Sequence, residues 1–197
     1  MTDRDLGRKI VVPYYDAAEN LLLGGAIPWD VDAAMVAFGF SIGPFTAQDL
    51  TGLDCAFQER KLRPSNPRGF PISERMLEMG RLGKKAGVGW YRYPGGGGAV
   101  EDPLLEDLIT EESYFAKITR QSFTNDEIRA HLLITIIDQA TILLRQDTRI
   151  GLSDIDRIMV ENFDFPISQS GLLRYAGAGG FRNLLEALGT TRDDNPD

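Results

Sequence analysis

From Ile10 the apolar residues Ile10, Tyr14, Ala17, Ala18, Leu21 and Leu22 recur every three to four positions, which lines them along one face of an α-helix. Gly24-Gly25 ends that helix, because glycine takes the left-handed cap conformation without steric cost. Pro28 suits a first helical position, and Val31, Ala34, Met35 and Phe38 follow at i, i+3, i+4 and i+7. A further helix is predicted from Pro44 to about Lys61, then a proline-rich loop from Arg63 to Pro71, then a short helix from Ile72 to Met79. Gly80 to Gly98 is the least helical stretch, and Trp90-Tyr91-Arg92-Tyr93 within it reads as a short extended segment. Helical signals resume near Pro103. Thr124 and Glu127 make a capping-box pair, hydroxyl and carboxylate satisfying each other's backbone N–H groups, and their helix runs to about Arg145. Ser153 with Asp156 offers a similar start for the next. Asp30/Asp32 and Asp154/Asp156 sit at helix starts, where capping and the helix dipole account for them. No two segments alternate like strands with turn chemistry between them, so the predicted fold class is all-α.

The pattern also repeats. Asp16-Ala17-Ala18, Leu21-Leu22, Asp30-Val31-Asp32 and Phe38-Gly39-Phe40 recur in order as Asp138-Gln139-Ala140, Leu143-Leu144, Asp154-Ile155-Asp156 and Phe163-Asp164-Phe165. Each series reads as a long helix, a turn, a short helix and a Phe-x-Phe exit. The expected organisation is a first helical unit over 1–98, a second, degenerate unit over 99–190, and a frayed tail over 191–197.

Charge narrows the partners. The chain of 197 residues carries a net charge of -8. Nucleic acid and an anionic membrane surface both need basic clusters, so neither is expected. A local Lys/Arg group can still bind an anionic coenzyme A ester. The one cysteine, Cys55, allows no intrachain disulfide, Asp3 and Asp5 stand where a basic leader would be, and no apolar run approaches the ~20 residues of a membrane span. These features point to a reducing, cytoplasmic setting.

Most chemical motifs fail on spacing. Gly177-Ala178-Gly179-Gly180 and Gly95 to Gly98 lack the G-x-G-x-x-G spacing and the preceding strand of a dinucleotide site. Gly83-Lys84-Lys85 lacks the P-loop pattern. One His and one Cys far apart make no zinc site. His131 has Glu127 one turn before it, yet reads first as a structural or surface residue, and Cys55 has no nearby base. Lys84-Lys85, with Arg81 and Arg92, form the one glycine-flanked basic group, able to meet a phosphate or carboxylate or simply to be solvated. Phe38, Phe40 and Phe45 suit a core more readily than an acyl pocket.

Two ordered stretches carry a resemblance. Phe38-Gly39-Phe40-Ser41-Ile42-Gly43-Pro44-Phe45, followed by Asp49, Gly52, Leu53 and Asp54, resembles the "F-G-F-x-x-G-P-F-x-x-x-D-x-x-G-L-D" stretch of the C-terminal helical domains of the 3-hydroxyacyl-CoA dehydrogenase family. Gly80-Arg81-Leu82-Gly83-Lys84-Lys85-Ala86-Gly87-Val88-Gly89-Trp90-Tyr91 resembles that family's "G-R-x-G-Q-K-x-G-x-G-W/F-Y" loop. Weaker likeness continues through Asp126 to Arg129 and from Ser153 to Pro166. The resemblance implies a helical domain of the 6-phosphogluconate dehydrogenase C-terminal type, in tandem as in multifunctional fatty-acid oxidation enzymes. It also implies that the NAD-binding Rossmann domain and the catalytic His/Glu pair lie in another part, so no catalytic residue, no metal and no cofactor is assigned here; NAD enters only with a separate Rossmann partner. Lys9, Pro13, Tyr14 and Phe45 are the implied substrate-cleft candidates, and Lys84 and Lys85 the basic-loop candidates.

The departures are specific. Gly7-Arg8-Lys9 stands at the family's "G-N-R", Ser170-Gly171-Leu172-Leu173 at its "G-G-P-M", and Ala17 where Glu is usual. The expected function is a stand-alone substrate-cleft and dimerisation module of 3-hydroxyacyl-CoA metabolism, inactive alone. The alternatives are one subunit of a split dehydrogenase and a non-catalytic assembly protein; a short natural chain and a fragment of a longer enzyme both remain open. Expected partners are an acyl-CoA, a Rossmann-domain subunit and a second copy of the chain.

Overall fold

The computed structural model describes residues 2–61 and 69–189. Its helices are α1 Asp3–Gly24, α2 Pro28–Phe38, α3 Pro44–Thr51, α4 Leu53–Lys61, α5 Pro71–Glu78, α6 Pro103–Phe115, α7 Asn125–Gln146, α8 Leu152–Phe163, α9 Leu172–Tyr175 and α10 Phe181–Gly189. Among the described residues the only β pairing is isolated bridges in the glycine-rich loop, Gly83 with Val88, Val88 with Arg92, and Arg92 with Val100. The all-α expectation holds. The expected frayed tail, and most of the proline-rich loop, lie outside the described residues. No helix among those residues is long and apolar enough to cross a membrane.

The chain forms two compact units, each assembled from separate stretches of the sequence. One comprises 1–17, 34–41 and 124–197, the other 18–33 and 42–123. In the first unit α10 packs along α7. Its aromatic core joins both Phe-x-Phe exits: Phe38 meets Phe165 at 6.0 Å and Tyr175 at 5.2 Å, and Phe40 meets Phe165 at 5.8 Å, between ring centroids. The backbone N–H and hydroxyl of Ser41 both donate to the carboxylate of Asp164, at 2.6 and 2.8 Å. Gly7 fits because a Cβ there would overlap the Phe163 ring. In the second unit Phe45 and Trp90, each fully buried, meet at 4.6 Å between centroids.

Three expectations need correction. The predicted helix from Pro44 to Lys61 is two helices, because Gly52 sits at φ +102° and turns the chain between them. Helix α8 is capped at Gly151 and starts at Leu152, not Ser153; Asp154 accepts from the Gly151 N–H at 2.9 Å, which frees Asp156 for another task. Asp32 does not cap its own helix: it reaches the first turn of α3. The capping box at Thr124 and Glu127 forms as expected.

Candidate functional site

Buried acids organise the second unit. Asp32, 6 % exposed, accepts from the backbone N–H groups of Phe45 at 2.8 Å and Thr46 at 2.9 Å, from the Thr46 hydroxyl at 2.7 Å and from the Tyr91 hydroxyl at 3.0 Å. Asp49, 1 % exposed, accepts from the N–H groups of Trp90 and Tyr91, both at 2.9 Å, and from the Tyr93 hydroxyl at 3.0 Å. Together they bind the helical corner α2–α3 to the glycine-rich loop. A buried carboxylate is tolerated when donors converge on it, and here seven donors serve two carboxylates. Glycine is needed where the backbone comes closest: a Cβ on Gly43 would collide with Asp32, and one on Gly89 with the Asp49 carboxylate.

Burial still raises the pKa of both acids, and for Asp49 it reaches about 6 against the pull of its three donors, with the Asp32 charge adding to the rise. Burial, then the neighbouring carboxylate charge, raises the Tyr91 and Tyr93 phenols as well. Both phenols are therefore permanent donors. The knot has no exposed acid or base to offer a substrate, and its chemistry is that of a clamp.

Three further ties complete the unit. Glu19, 1 % exposed, accepts from the N–H and hydroxyl of Ser73 in the first turn of α5. Arg81 donates to the Gly89 carbonyl at 3.0 Å and to Asp102 at 2.8 Å, while Asp102 caps α6 through the Leu104 N–H. Arg120 donates to the Leu22 and Gly25 carbonyls at the end of α1, supplying the cation that the last turn of α1 lacks.

The predicted site residues are drawn from both units. Lys9, Pro13 and Tyr14 share α1 in the first unit: Lys9 is exposed, Pro13 half-buried, and Tyr14 buried against Phe40 at 6.3 Å between centroids. Pro13 has no N–H, so the Lys9 carbonyl loses its helical partner. Phe45 belongs to the second unit and is wholly inside its core. In the basic loop, Lys85 is paired with Asp54 at 2.5 Å and Lys84 lies 5.7 Å over the Tyr93 ring. Arg81 faces Asp102, and Arg92 approaches the same carboxylate at 3.7 Å. His131 is on the exposed side of α7, whereas Glu127 closes the capping box on Thr124. Among the described residues no group of three or more His, Cys, Asp or Glu could hold a metal. Sequence reading missed Glu19, Asp102 and Arg120; Glu19, an acid beside the apolar run Leu21-Leu22-Leu23, and Asp102, a capping residue type just before Pro103, left local traces.

This is an all-helical domain of the kind found in solved dehydrogenases. The fold matches the dehydrogenase part of multifunctional enzyme 1 from C. elegans (TM-score 0.68, 24 % identity, 86 % of this chain and 39 % of that one). It also matches 3-hydroxybutyryl-CoA dehydrogenase from Escherichia coli (TM-score 0.62, 18 % identity, 95 % of this chain and 56 % of that one). Residues 6–93 match the family described as 3-hydroxyacyl-CoA dehydrogenase, C-terminal domain. Similarity runs past residue 93: the peroxisomal bifunctional enzyme of Homo sapiens is 31 % identical over 98 % of this chain and 29 % of its own length. The fatty acid oxidation complex subunit alpha of Vibrio cholerae is 28 % identical over 91 % of this chain and 25 % of its own. The chain thus spans less than a third of these relatives.

Proposed function

We propose that this chain is a substrate-cleft and dimerisation module of 3-hydroxyacyl-CoA metabolism, inactive by itself. The observation that carries the reading is the alignment of nearly the whole chain with proteins named for bifunctional and fatty-acid oxidation enzymes. Both family motifs are engaged in one clamp, through Asp32 and Asp49, which supports an intact module. On α1, the exposed residues Arg4, Arg8 and Lys9 offer positive charge to the phosphates of an acyl-CoA. Hydride transfer would draw on NAD and on a general base held by a separate dinucleotide-binding chain, which makes a split dehydrogenase the complete form. The compartment we propose is reducing and cytoplasmic; several relatives carry "peroxisomal" in their names.

Calorimetric titration with a 3-ketoacyl-CoA tests the cleft. Saturable binding in the micromolar range, weakened about threefold or more in Lys9→Ala, is the expected outcome. Dehydrogenase turnover by the purified chain with NAD and a 3-hydroxyacyl-CoA would refute inactivity alone. One observation favours the assembly reading: the basic loop spends Lys85 on Asp54 and Arg81 on Asp102, which suits a structural loop. Under it the chain gives oligomers by light scattering and no heat with millimolar ligand.

A further inference from the structure

Some acids of this fold are spent inside it. Asp156, in the corner between α8 and α9, gives one carboxylate oxygen to the Leu173 N–H at 2.6 Å and has the Arg174 Nε 3.6 Å from the other. Helix α6 keeps acids on its outside. Leu105, Leu108, Ile109 and Ser113 turn inward. Leu104, Asp107, Glu111, Tyr114 and Phe115 share the opposite face, at i, i+3, i+7, i+10 and i+11. Leu104 is 71 % exposed, Tyr114 78 % and Phe115 64 %, and the two aromatic rings meet each other at 5.9 Å between centroids. Among the described residues Asp107 has no ion pair. Glu111 pairs with Arg75 at 2.6 Å, and Arg75 also holds Glu112 at 2.8 Å.

The chemistry of this face selects its partner. Large apolar side chains exposed together mark an interaction surface. A second α6 does not suit it, because Asp107 and Glu111 of two copies would repel. Arginine does: its guanidinium pairs with a carboxylate, stacks on aromatic rings and lays an aliphatic stem along apolar surface. Among the described side chains, α1 is the one helix with two exposed arginines a turn apart, Arg4 and Arg8. Their i, i+4 spacing, about 6 Å along the axis, equals that of Asp107 and Glu111. The acids beside them are engaged, Asp3 with Arg157 at 3.0 Å and Asp5 with the Thr2 hydroxyl at 2.7 Å. We infer that the outer face of α6 binds the Arg4 and Arg8 stripe of α1 on a second copy of this chain. The inference rests on the self-association in the proposed function and names its two surfaces. Because the contact joins two different patches, it closes into a ring or extends along a file of copies.

The test is sedimentation of the full chain without acyl-CoA, since Arg4 and Arg8 are also offered to that ligand. The unaltered chain should self-associate, and less so as salt rises from about 0.05 to about 0.5 M. Reversing one patch, with Asp107→Lys and Glu111→Lys or with Arg4→Glu and Arg8→Glu, should weaken association about tenfold or more. An equimolar mixture of the two reversed chains should regain it, because each contact between unlike copies again pairs opposite charges. Rescue by mixing separates lost charge from lost folding. Oligomers indifferent to both reversals would overturn the inference and leave self-association standing, while a monomer under every condition would overturn both. A monomeric chain that binds a synthetic Lys/Leu amphipathic peptide on α6 would give the face to another basic helix and overturn the second copy. The salt series needs no variant: association of the unaltered chain that does not fall with salt would overturn the contact even if the reversed chains fail to fold.

Discussion

Two helical corners of this protein use the same device and finish it differently. At each, a buried aspartate from a helix receives the backbone N–H of the next short helix, and a glycine makes room for it. The Asp32 corner is closed by the chain itself: a hydroxyl from α3 and a phenol from the glycine-rich loop complete its hydrogen bonds. Among the described residues the Asp156 corner has no such loop, and one carboxyl oxygen has no hydrogen bond. The difference shows what the loop's Trp-Tyr-Arg-Tyr run is for. It locks a corner that helix packing leaves electrostatically unfinished.

The largest effect should come from cutting the finished corner. Asp32→Ala strands the buried Phe45 N–H and the Tyr91 hydroxyl together with the Thr46 donors. The expected cost is about 4 kcal/mol, because each buried donor left unsatisfied costs about 1–3 and the costs do not add fully. Urea unfolding followed by tryptophan fluorescence measures it, since Trp29 and Trp90 both lie in the second unit. A loss below 1 kcal/mol would show that the loop holds without the carboxylate.

Acidity sharpens the same comparison. The Asp49 pKa in the folded protein, about 6, lies above its ordinary 3.8. The folded state therefore holds a proton that the unfolded chain has released. The associated stability is fully present below pH 3.8 and is lost as pH rises through 6, an effect of about 3 kcal/mol at most. Asp32 shifts in the same direction. The second unit should accordingly be more stable at pH 5 than at pH 7.5, and Asp49→Asn should flatten that slope. Stability that climbs from pH 5 to 7.5 would contradict the raised pKa.

The glycines separate the corners in a different way. Gly43 has φ -81°, which any residue can adopt, whereas Gly171 has φ +117°. An added methyl collides with the aspartate at both, but only at Gly171 does backbone strain add to the collision. Gly171→Ala should therefore cost about 1–2 kcal/mol more than Gly43→Ala, read from the thermal unfolding of each variant.

Local rules account for what the sequence made legible. Helix faces, the Thr124 capping box and the glycine stop after α1 depend on neighbours within a turn or two, and all are as expected. The break at Gly52 escaped because one glycine in an otherwise helical pattern is tolerated as often as it turns the chain. The clamp escaped for a deeper reason. Asp32 finds Tyr91 59 positions away and Asp49 finds Tyr93 44 positions away, and periodicity carries no such pairing. The motifs that suggested the family therefore marked the right residues without saying what they do. Asp49 and Trp90-Tyr91 are structural partners, and Phe45, a cleft candidate by resemblance, is the apolar floor under Trp90.

The smallest effect should be at Asp156 in the ligand-free protein. Asparagine keeps one oxygen for the Leu173 N–H and puts an amide where Oδ2 lies without a hydrogen bond, removing a buried charge that Arg174 alone pairs with among the described residues. Losing the charge offsets losing a stronger acceptor, so Asp156→Asn should change stability by less than about 1 kcal/mol in either direction. The matching change Asp32→Asn should cost about 2–3 kcal/mol, because its amide can accept at one position only while donors press on both oxygens. Hydrogen exchange at the Leu173 and Phe45 amides reads the two corners side by side. Equal loss of protection in the two variants would mean that something else completes Asp156, and the two corners would then be alike after all.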